Sequence, residues 1–499
     1  MKFKGKILMI GCGAVAQCTL PLIEKLIDVP FSNITIMDFV DNRNRVKGSI
    51  AKGAKYVIDR IEEHNYAEIL SQYVGSGDMI IDLAWDIDTC ALLQWCHDHN
   101  VLYINASFEL WEPYRSLKDK HPTDLTLYAR QMRMREIIGK WADPKGATAV
   151  LDHGANPGLV SHFTKQALED IAQKIIREKQ NDPRIPELTK ALEDGWFAKI
   201  AQLTGLKTIH ISERDLQITN VPKKMNEFVN TWSVAGIFEE AIAPSELGWG
   251  THEKHVPKGA MFHKEGPKNQ ICLASKGMKT WVRSWVPCGE ITGMVIRHGE
   301  AFSISEYLSI VNDENDTIYR PTVHYAYCCC DSAVNSLHEL EMNQFILQKN
   351  QRVMSDEIIS GRDELGCLLM GHDFNSWWIG SILDIEEARK LVPEQNATTV
   401  QVAIGVVAAV RWMVANPKEG ICLPDHLPYK EILEVSKPYL GPFLSIPVDW
   451  TPLKNRKPIY FDYGAKRPKA EDVWQFTTFL VNPAETEEIS SRTYEEVRA

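Results

Sequence analysis

The sequence is poor in basic residues and in long apolar runs, and both shortages exclude classes of function. Its 55 lysines and arginines are outnumbered by 66 aspartates and glutamates, which gives a formal net charge of −11. A nucleic-acid-binding surface needs the opposite sign, because lysine and arginine neutralise the phosphates. The longest apolar run, 400–415, is interrupted by Gln401 and Arg411 and is too short to span a bilayer. We therefore expect no nucleic-acid partner and no membrane span.

Metal-ligand spacings are also lacking. The 11 cysteines include no Cys-x-x-Cys pair, and Cys328–Cys330 is a run of adjacent thiols. His252 and His255 miss the spacing of a His-Glu-x-x-His zinc site. The short N-terminal apolar run ends in a glycine turn, so it does not indicate a signal peptide. These features predict a cytoplasmic protein with reduced thiols and no metal.

A dinucleotide-binding fingerprint follows the first apolar run. Ile7–Ile10 leads directly into Gly11, Gly13 and Ala16, the G-x-G-x-x-A pattern of a strand that turns into a helix. The first glycine makes the tight turn, the second lets backbone approach a pyrophosphate, and the alanine lets helix pack on strand. The predicted cofactor contacts are Gly11, Gly13, Ala14 and Val15. The alternative is an ordinary glycine-rich turn.

The residue that closes the second strand bears on which dinucleotide binds. Asp38 follows Ile34–Met37, where a carboxylate binds the ribose hydroxyls of NAD and repels a 2′-phosphate. Arg43 and Arg45 lie close by and could bind such a phosphate instead. The sequence therefore favours NAD over NADP, and a plain turn residue is the alternative for Asp38.

Further strand-like runs alternate with helical patterns through the first third of the chain. The runs at 78–84, 101–104 and 148–151 each end in polar residues, which predicts an α/β, doubly wound parallel Rossmann sheet. Ligands bind at the carboxyl ends of such strands, so Asp88, Glu112 and Asn156 are expected at one edge. For each residue alone, a helix cap is the competing interpretation.

The remainder of the chain predicts a second, α+β domain built on a mixed or antiparallel sheet. We expect a Rossmann domain at 1–155, which a helix near 396–416 could return to complete. Residues 156–395 and 417–485 would form the catalytic and dimerisation domain, and 486–499 an acidic tail. Within this part, 209–217 alternates like a half-buried strand. Asp215 in that strand could be a functional acid or a structural partner of Arg214.

A dinucleotide site with scattered carboxylates and a tryptophan suits hydride transfer at an amine carbon. A protonated amine needs carboxylate partners and can rest on an indole face, which contributes about 0.5–2 kcal/mol. The amine must also lose a proton before its carbon can release hydride, so a carboxylate or histidine base is needed nearby.

The motifs resemble those of the bacterial homospermidine synthase family, within the saccharopine-dehydrogenase-like superfamily. The resemblance rests on the fingerprint and on four further stretches, His153–Ser161, His210–Asp215, Asn230–Val234 and Asp363–Gly366. It implies condensation of two putrescine molecules, or of spermidine and putrescine, to sym-homospermidine with release of ammonia. It further implies NAD that is reduced and reoxidised within one cycle, and a homodimer.

The resemblance also implies roles for individual residues. Trp232 would be the cation–π platform for the ammonium intermediate, and Glu213 and Glu240 would hold amine groups. Asn156 would lie near the reacting amine or the nicotinamide, and His298 would be a proton-transfer partner. Asp363 would contact the distal amine. Asp88 and Glu112 are further substrate-binding candidates, chosen for their places after the strands rather than for a match to the family. Each residue also has a purely structural alternative. Trp232 could be a core aromatic, Glu213 and Glu240 could be solvated surface charges, and His298 could be a hydrogen-bonded histidine at the end of a strand.

Two other functions compete with this interpretation. A saccharopine- or carboxynorspermidine-type reductase of the same superfamily would need Arg or Lys to pair with the α-carboxylates of its substrates. A regulator that only senses NAD would need no substrate pocket.

Overall fold

The computed structural model describes residues 1–112, 120–456, 468–482 and 486–488. In chain order the strands are β1 (Ile7–Ile10), β2 (Ile34–Asp38), β3 (Lys55–Ile58), β4 (Met79–Asp82), β5 (Leu102–Asn105), β6 (Ala149–Val150), β7 (Thr208–Asp215), β8 (Ile218–Thr219), β9 (Glu227–Asn230), β10 (Pro244–Gly248), β11 (His255–Pro257), β12 (Ala260–Phe262), β13 (Gln270–Lys276), β14 (Trp281–Val286), β15 (Gly289–Met294), β16 (Ile310–Val311), β17 (Thr317–Tyr319), β18 (Thr322–Cys328), β19 (Asn350–Val353), β20 (Ile358–Ser360), β21 (Arg362–His372), β22 (Asn375–Asp384), β23 (Ile421–Cys422), β24 (Phe443–Val448) and β25 (Thr486–Glu488). The α-helices are α1 (Ala14–Leu26), α2 (Lys47–Ala51), α3 (Tyr66–Tyr73), α4 (Thr89–His99), α5 (Leu127–Ile138), α6 (Leu159–Glu178), α7 (Ile185–Glu193), α8 (Phe197–Thr204), α9 (Val234–Ile242), α10 (Gly299–Tyr307), α11 (Asp331–Met342), α12 (Ile385–Leu391), α13 (Ala397–Ala415), α14 (Tyr429–Ser436) and α15 (Phe476–Phe479).

The first sheet confirms the predicted Rossmann architecture. Its order is β3-β2-β1-β4-β5-β6-β23, and its strand pairs are parallel. The chain therefore runs outward from β1 in both directions, which places the switch point of the doubly wound sheet between β1 and β4. β3 was not predicted, because this short edge strand, Lys55–Ile58, has exposed ends and only half-buried central residues, and so lacks the pattern of a buried run.

A late segment of the chain returns to this first sheet. The helix expected near 396–416 is α13, which packs against α1 and α14. It is long and apolar enough to cross a membrane, yet 78% of its apolar stretch is buried inside the protein. After it, β23 adds a parallel strand beside β6. Most of the acidic tail predicted at 486–499 lies outside the described residues.

The second sheet is mixed, as predicted. Its main path is β12-β13-β10-β18-β7-β21-β22-β24, with the β14–β15 hairpin attached beside β18. β7 and β18 run parallel, whereas the other described pairs of this sheet are antiparallel. Seven of the eight residues of β7 are buried, so this strand forms the centre of the sheet. Glu213, near its end, lines the same cavity as residues that follow strands of the first sheet.

Candidate active site

A cavity of about 190 Å³ lies between the two sheets. Four loops at the carboxyl ends of the first sheet contribute to its wall, after β1, β4, β5 and β6. The side chains from these loops include Val15, Ala84, Trp85, Ala106, Glu109 and Asn156. The opposite wall belongs to the second sheet and the helices beside it, and includes Glu213, Trp232, Glu240, His298 and Tyr325. The cavity therefore joins the fingerprint loop to an acidic, aromatic surface.

The fingerprint loop has the shape that a dinucleotide requires. Gly11 has φ +87°, and a Cβ there would lie 2.9 Å from the carbonyl oxygen of Leu83. In contrast, a Cβ at Gly13 would meet nothing within 4 Å, which leaves room for a pyrophosphate. Gly13 precedes α1 without a side-chain cap, so the first amides of the helix can bind an anion. These residues fit a bound dinucleotide.

Asp38 lies beside this loop at the end of β2. Its carboxylate accepts hydrogen bonds from the backbone N–H groups of Cys12 (2.6 Å) and Val40 (2.8 Å). These bonds fix the carboxylate where a ribose would lie. The two nearby arginines already face acids, since Arg43 binds Asp41 at 2.6 Å and Arg45 lies 3.7 Å from Asp356. The arrangement favours a free 2′-hydroxyl over a 2′-phosphate.

Trp232 follows β9 and precedes Ser233, which caps α9 by accepting from the N–H of Gly236. Its indole N–H donates to the hydroxyl of Tyr327 at 3.0 Å. Tyr327 in turn stacks on Tyr325, with ring centroids 5.1 Å apart and planes at 15°. The indole is thereby held at its polar edge while its ring lines the cavity.

Glu213 is the buried carboxylate at the end of β7. It accepts hydrogen bonds from the hydroxyl of Tyr325 and from the amide of Asn156 (3.4 Å). Burial, and then the charge of Asp215, raise the pKa of Glu213 to about 7. A bound ammonium would oppose this shift, because an adjacent positive charge favours the ionised carboxylate.

His298 lies between two carboxylates at the start of α10. Its Nε2 is 3.1 Å from Glu240 and its Nδ1 is 3.4 Å from Glu300. Burial opposes the charged imidazole, but the two carboxylates outweigh it and raise the pKa of His298 well above its ordinary value. Burial raises the pKa of Glu240. The cavity thus holds a histidine between two carboxylates that favour its protonated form, an arrangement that suits proton transfer.

An ion cluster joins the two walls at Glu239. Its carboxylate binds the guanidinium groups of Arg130 and Arg297 and accepts the indole N–H of Trp85 at 3.2 Å. Although burial disfavours its charge, Arg297 and Arg130 lower the pKa of Glu239 to about 2. Both arginines also donate to backbone carbonyls, those of Phe108 and Leu125. Both arginines at the cavity wall are therefore already paired with Glu239.

Two of the predicted acids lie outside the cavity lining. Asp88 caps α4 by accepting from the N–H of Ala91 and pairs with Arg133 at 2.5 Å. Glu112 has φ +39°, and its backbone N–H donates to Asp86. Asp88 thus acts as a helix cap, the alternative considered from the sequence. The geometry does not support a substrate contact for Asp88 or for Glu112, since neither lines the cavity.

The loop after β5 nevertheless brings a carboxylate into the cavity. Glu109 lines it, accepts a hydrogen bond from Ser107 at 2.8 Å, and has a buried Oε2 with no hydrogen-bond partner. Burial, and then Glu239, raise the pKa of Glu109 to about 8. The sequence predicts only that the run at 101–104 ends in polar residues, and nothing in it singles out Glu109.

Asp363 lies behind the cavity wall, fully buried on β21. Thr398, which lines the cavity, donates to its Oδ2 at 2.9 Å, while its Oδ1 is buried without a partner. Burial and the carboxylates of Glu213 and Asp215 raise the pKa of Asp363 well above its ordinary value. Contact between Asp363 and a substrate remains a prediction.

Other lining residues were missed because nothing singled them out in the sequence. Tyr325 lines the cavity, and Tyr327, the partner of the Trp232 indole, lies two residues later on the same face of β18. This alternation of two tyrosines is the one signal that could have identified them. Asp152 also lines the cavity, and burial raises its pKa to about 7. Among the described residues, no group of three His, Cys, Asp or Glu side chains could hold a metal ion.

Comparison with known proteins gives consistent results along the chain. The saccharopine dehydrogenase NADP binding domain matches residues 7–150, and the saccharopine dehydrogenase C-terminal domain matches residues 154–445. The homospermidine synthase of Mesorhizobium japonicum is 39% identical over 482 residues, which cover 96% of each chain. That of Blastochloris viridis is 36% identical over 485 residues, 96% of this chain and 98% of the relative. The crystal structure of the homospermidine synthase of Legionella pneumophila in complex with NAD superimposes with a TM-score of 0.84 at 35% identity. The match covers 97% of this chain and 99% of that chain.

Proposed function

This chain belongs to the homospermidine synthase family, and on that premise we propose that it condenses two putrescine molecules to sym-homospermidine. Spermidine can replace one putrescine as the aminobutyl donor. One amine is oxidised at its carbon to an imine, ammonia leaves as the second amine forms a new imine, and that imine is reduced. One hydride is removed and one is returned, so the sum is two putrescines in and one homospermidine plus ammonia out.

The observation that carries the proposal is the acidic lining beside the fingerprint loop. Glu109, Asp152, Glu213 and Glu240 all reach one cavity that also contains an indole. A diamine carries two positive charges and an apolar chain, so it matches carboxylates at intervals and an aromatic face. An NAD-sensing regulator would have no need for this lining.

Each side chain then has a task set by its place. The ring of Trp232 stabilises the ammonium of the reacting group, and Glu213 and Glu240 hold amine groups. Asn156, 3.4 Å from Glu213, positions the reacting amine next to the nicotinamide side of the cavity. His298, held between two carboxylates, gives and takes the protons that amine and imine exchange. Asp363 acts on the distal amine through Thr398.

NAD, when bound, would accept the hydride from the first amine carbon and return it to the new imine. Gly11, Gly13, Ala14 and Val15 would hold its pyrophosphate, and Asp38 its ribose hydroxyls. The description of the family model refers to NADP, but the carboxylate of Asp38 would repel a 2′-phosphate. Ala84 and Trp85 line the cavity close to this loop.

A saccharopine- or carboxynorspermidine-type reductase is the alternative within the superfamily. Its substrates carry α-carboxylates and would need a cationic partner in the cavity. Arg130 and Arg297 line the cavity, but both are bound to Glu239. The diamine is the better match.

We also propose a cytoplasmic homodimer. The division into a cofactor domain at 1–155, completed by 396–416, and a catalytic and dimerisation domain at 156–395 and 417–485 belongs to the same proposal. Light scattering coupled to gel filtration would give about twice the 56.6 kDa chain mass for a dimer, and the chain mass itself would contradict it.

To test the function, the purified protein is incubated with putrescine and with a molar amount of NAD far below that of putrescine. Mass spectrometry should find homospermidine in molar excess over NAD, with one ammonia per product. NADPH consumption with saccharopine-type substrates would support the alternative. Tight NAD binding without any amine turnover would support the regulator.

A further inference from the structure

Asp215 ends β7 two residues after Glu213, yet it does not line the cavity. It is 1% exposed. One carboxylate oxygen accepts from the hydroxyl of Thr231 at 2.7 Å, and the other from the backbone and side-chain amides of Gln217 at 2.9 and 3.1 Å. Both oxygens of Asp215 therefore have hydrogen-bond partners within the protein, and neither oxygen faces the cavity where a substrate would bind. Arg214, the partner considered from the sequence, instead donates to Cys328, Cys329 and Asp331.

The first arm of this network reaches the backbone beside Trp232. Thr231 is fully buried and immediately precedes the tryptophan. While its hydroxyl donates to Asp215, its carbonyl accepts from Nδ2 of Asn396 at 2.7 Å. The segment that carries the indole is thus held from two sides, in addition to the bond from the indole N–H to Tyr327.

The second arm reaches another residue of the cavity lining, Thr398. The amide of Gln217 also donates to Thr398 at 3.0 Å, and its carbonyl accepts from the N–H of Ala397 at 2.9 Å. Both residues lie in the first turn of α13. Thr398 lines the cavity and donates to Asp363. One buried carboxylate therefore connects the segment that carries Trp232 to Thr398, and both of these residues line the cavity.

We infer that Asp215 is a positioning residue: through Thr231 and Gln217 it fixes Trp232 and Thr398 relative to each other without touching the substrate. The inference rests on the proposed function only in assigning an amine to the indole face. Rates depend steeply on such placement, because a displacement of about 1 Å can lower turnover about 100-fold.

The test is a matched pair of variants at Thr231. Thr231→Val keeps the shape of the side chain but removes the hydroxyl, whereas Thr231→Ser keeps the hydroxyl and removes a methyl group. We expect kcat with putrescine to fall about 10- to 100-fold in the valine variant and to stay close to wild type in the serine variant. Repeating both changes in a Trp232→Ala background should abolish the difference, because no indole is left to position. Independent losses that simply multiply would overturn the inference.

A second measurement does not depend on activity. The indole N–H resonances of the ¹⁵N-labelled protein report the position of each tryptophan, and Trp232 is the one lost in Trp232→Phe. We expect that resonance to shift in Thr231→Val and to stay in place in Thr231→Ser. If the valine variant does not fold, Asp215→Ala gives the same readout, because alanine has no side-chain oxygen to accept the hydrogen bonds from Thr231 and Gln217. An unmoved Trp232 resonance would overturn the inference, whereas absence of putrescine turnover in wild type would count against the proposed function alone.

Discussion

Replacing Trp232 by alanine removes the aromatic face on which the proposed mechanism places the ammonium. A desolvated cation–π contact with tryptophan contributes about 2 kcal/mol, and about 1.4 kcal/mol corresponds to a factor of ten in rate. The loss of that contact alone lowers kcat/KM about 30-fold, and the lost packing of the ring brings the expected decrease to about 100-fold. Trp232→Phe keeps a weaker aromatic face and loses the hydrogen bond to Tyr327, so we expect about a tenfold decrease.

The assay measures homospermidine formation by mass spectrometry over a range of putrescine concentrations. NAD affinity, measured by calorimetry, should remain close to wild type because the fingerprint loop is unchanged. Thermal unfolding of each variant shows that the protein is folded at the assay temperature. Near-normal kcat/KM in both folded variants would refute the cation–π role, and an equal loss in both would assign it to the hydrogen bond instead.

Further predictions concern the cofactor loop, the acids near the cavity and the response to pH. Gly13→Ala should weaken NAD binding at least tenfold, about 1.4 kcal/mol, with little change in thermal stability, whereas Gly11→Ala should lower the unfolding temperature because its φ is +87°. Asp88→Ala should lower stability by about 1 kcal/mol through the lost helix cap while kcat/KM stays near wild type. Glu109→Gln should raise KM for putrescine without a comparable loss of stability. Burial raises the folded-state pKa of Glu109 and of Glu253 to about 8, above the unfolded-state value. The stability from these bound protons is fully present below the unfolded-state pKa of about 4.3 and is lost as the pH rises to the folded-state value, so the unfolding free energy of the cofactor-free protein should fall between about pH 5 and pH 8 and level off above pH 8.

A specific experimental result would contradict each of these expectations. Equal NAD affinity in Gly13→Ala and wild type would show that the pyrophosphate does not approach this glycine. A large loss of kcat/KM in Asp88→Ala, with unchanged stability, would restore Asp88 as a substrate contact. Glu253 lies away from the cavity and accepts from Thr322 at 2.6 Å. Glu253→Gln should therefore flatten the pH dependence of stability, and an unchanged slope would contradict its raised pKa.

The first sheet could be predicted because its chemistry is local. Buried strands of a parallel sheet are short apolar runs, and the turn after β1 demands Gly11 whatever the rest of the chain does. β3 could not be predicted, because Lys55 and Ile58 are exposed at the edge of the sheet and burial there imposes no pattern on the sequence. The order of the second sheet was beyond prediction, since its strands pair across long separations in the chain.

The candidate site shows where sequence reasoning stops. Asp88 and Glu109 both follow strands of the first sheet, and both are acids. Whether such a side chain turns into the cavity or caps a helix depends on how the loop folds, and this depends on contacts with the second domain. Glu239 illustrates the same limit, because its partners Arg130 and Arg297 are brought to it from distant elements. Only the resemblance to a family selected Trp232 from the 14 tryptophans.

The central claim is that the hydride removed from one amine is the hydride returned to the product. Putrescine deuterated at both carbons next to nitrogen tests it directly, in the presence of unlabelled NADH in excess over the enzyme. If the same hydride is returned, homospermidine keeps every deuterium, because the abstracted deuteride stays in the cavity until the new imine is reduced. Product that has lost one deuterium would show reduction by NADH from solution and would contradict the account.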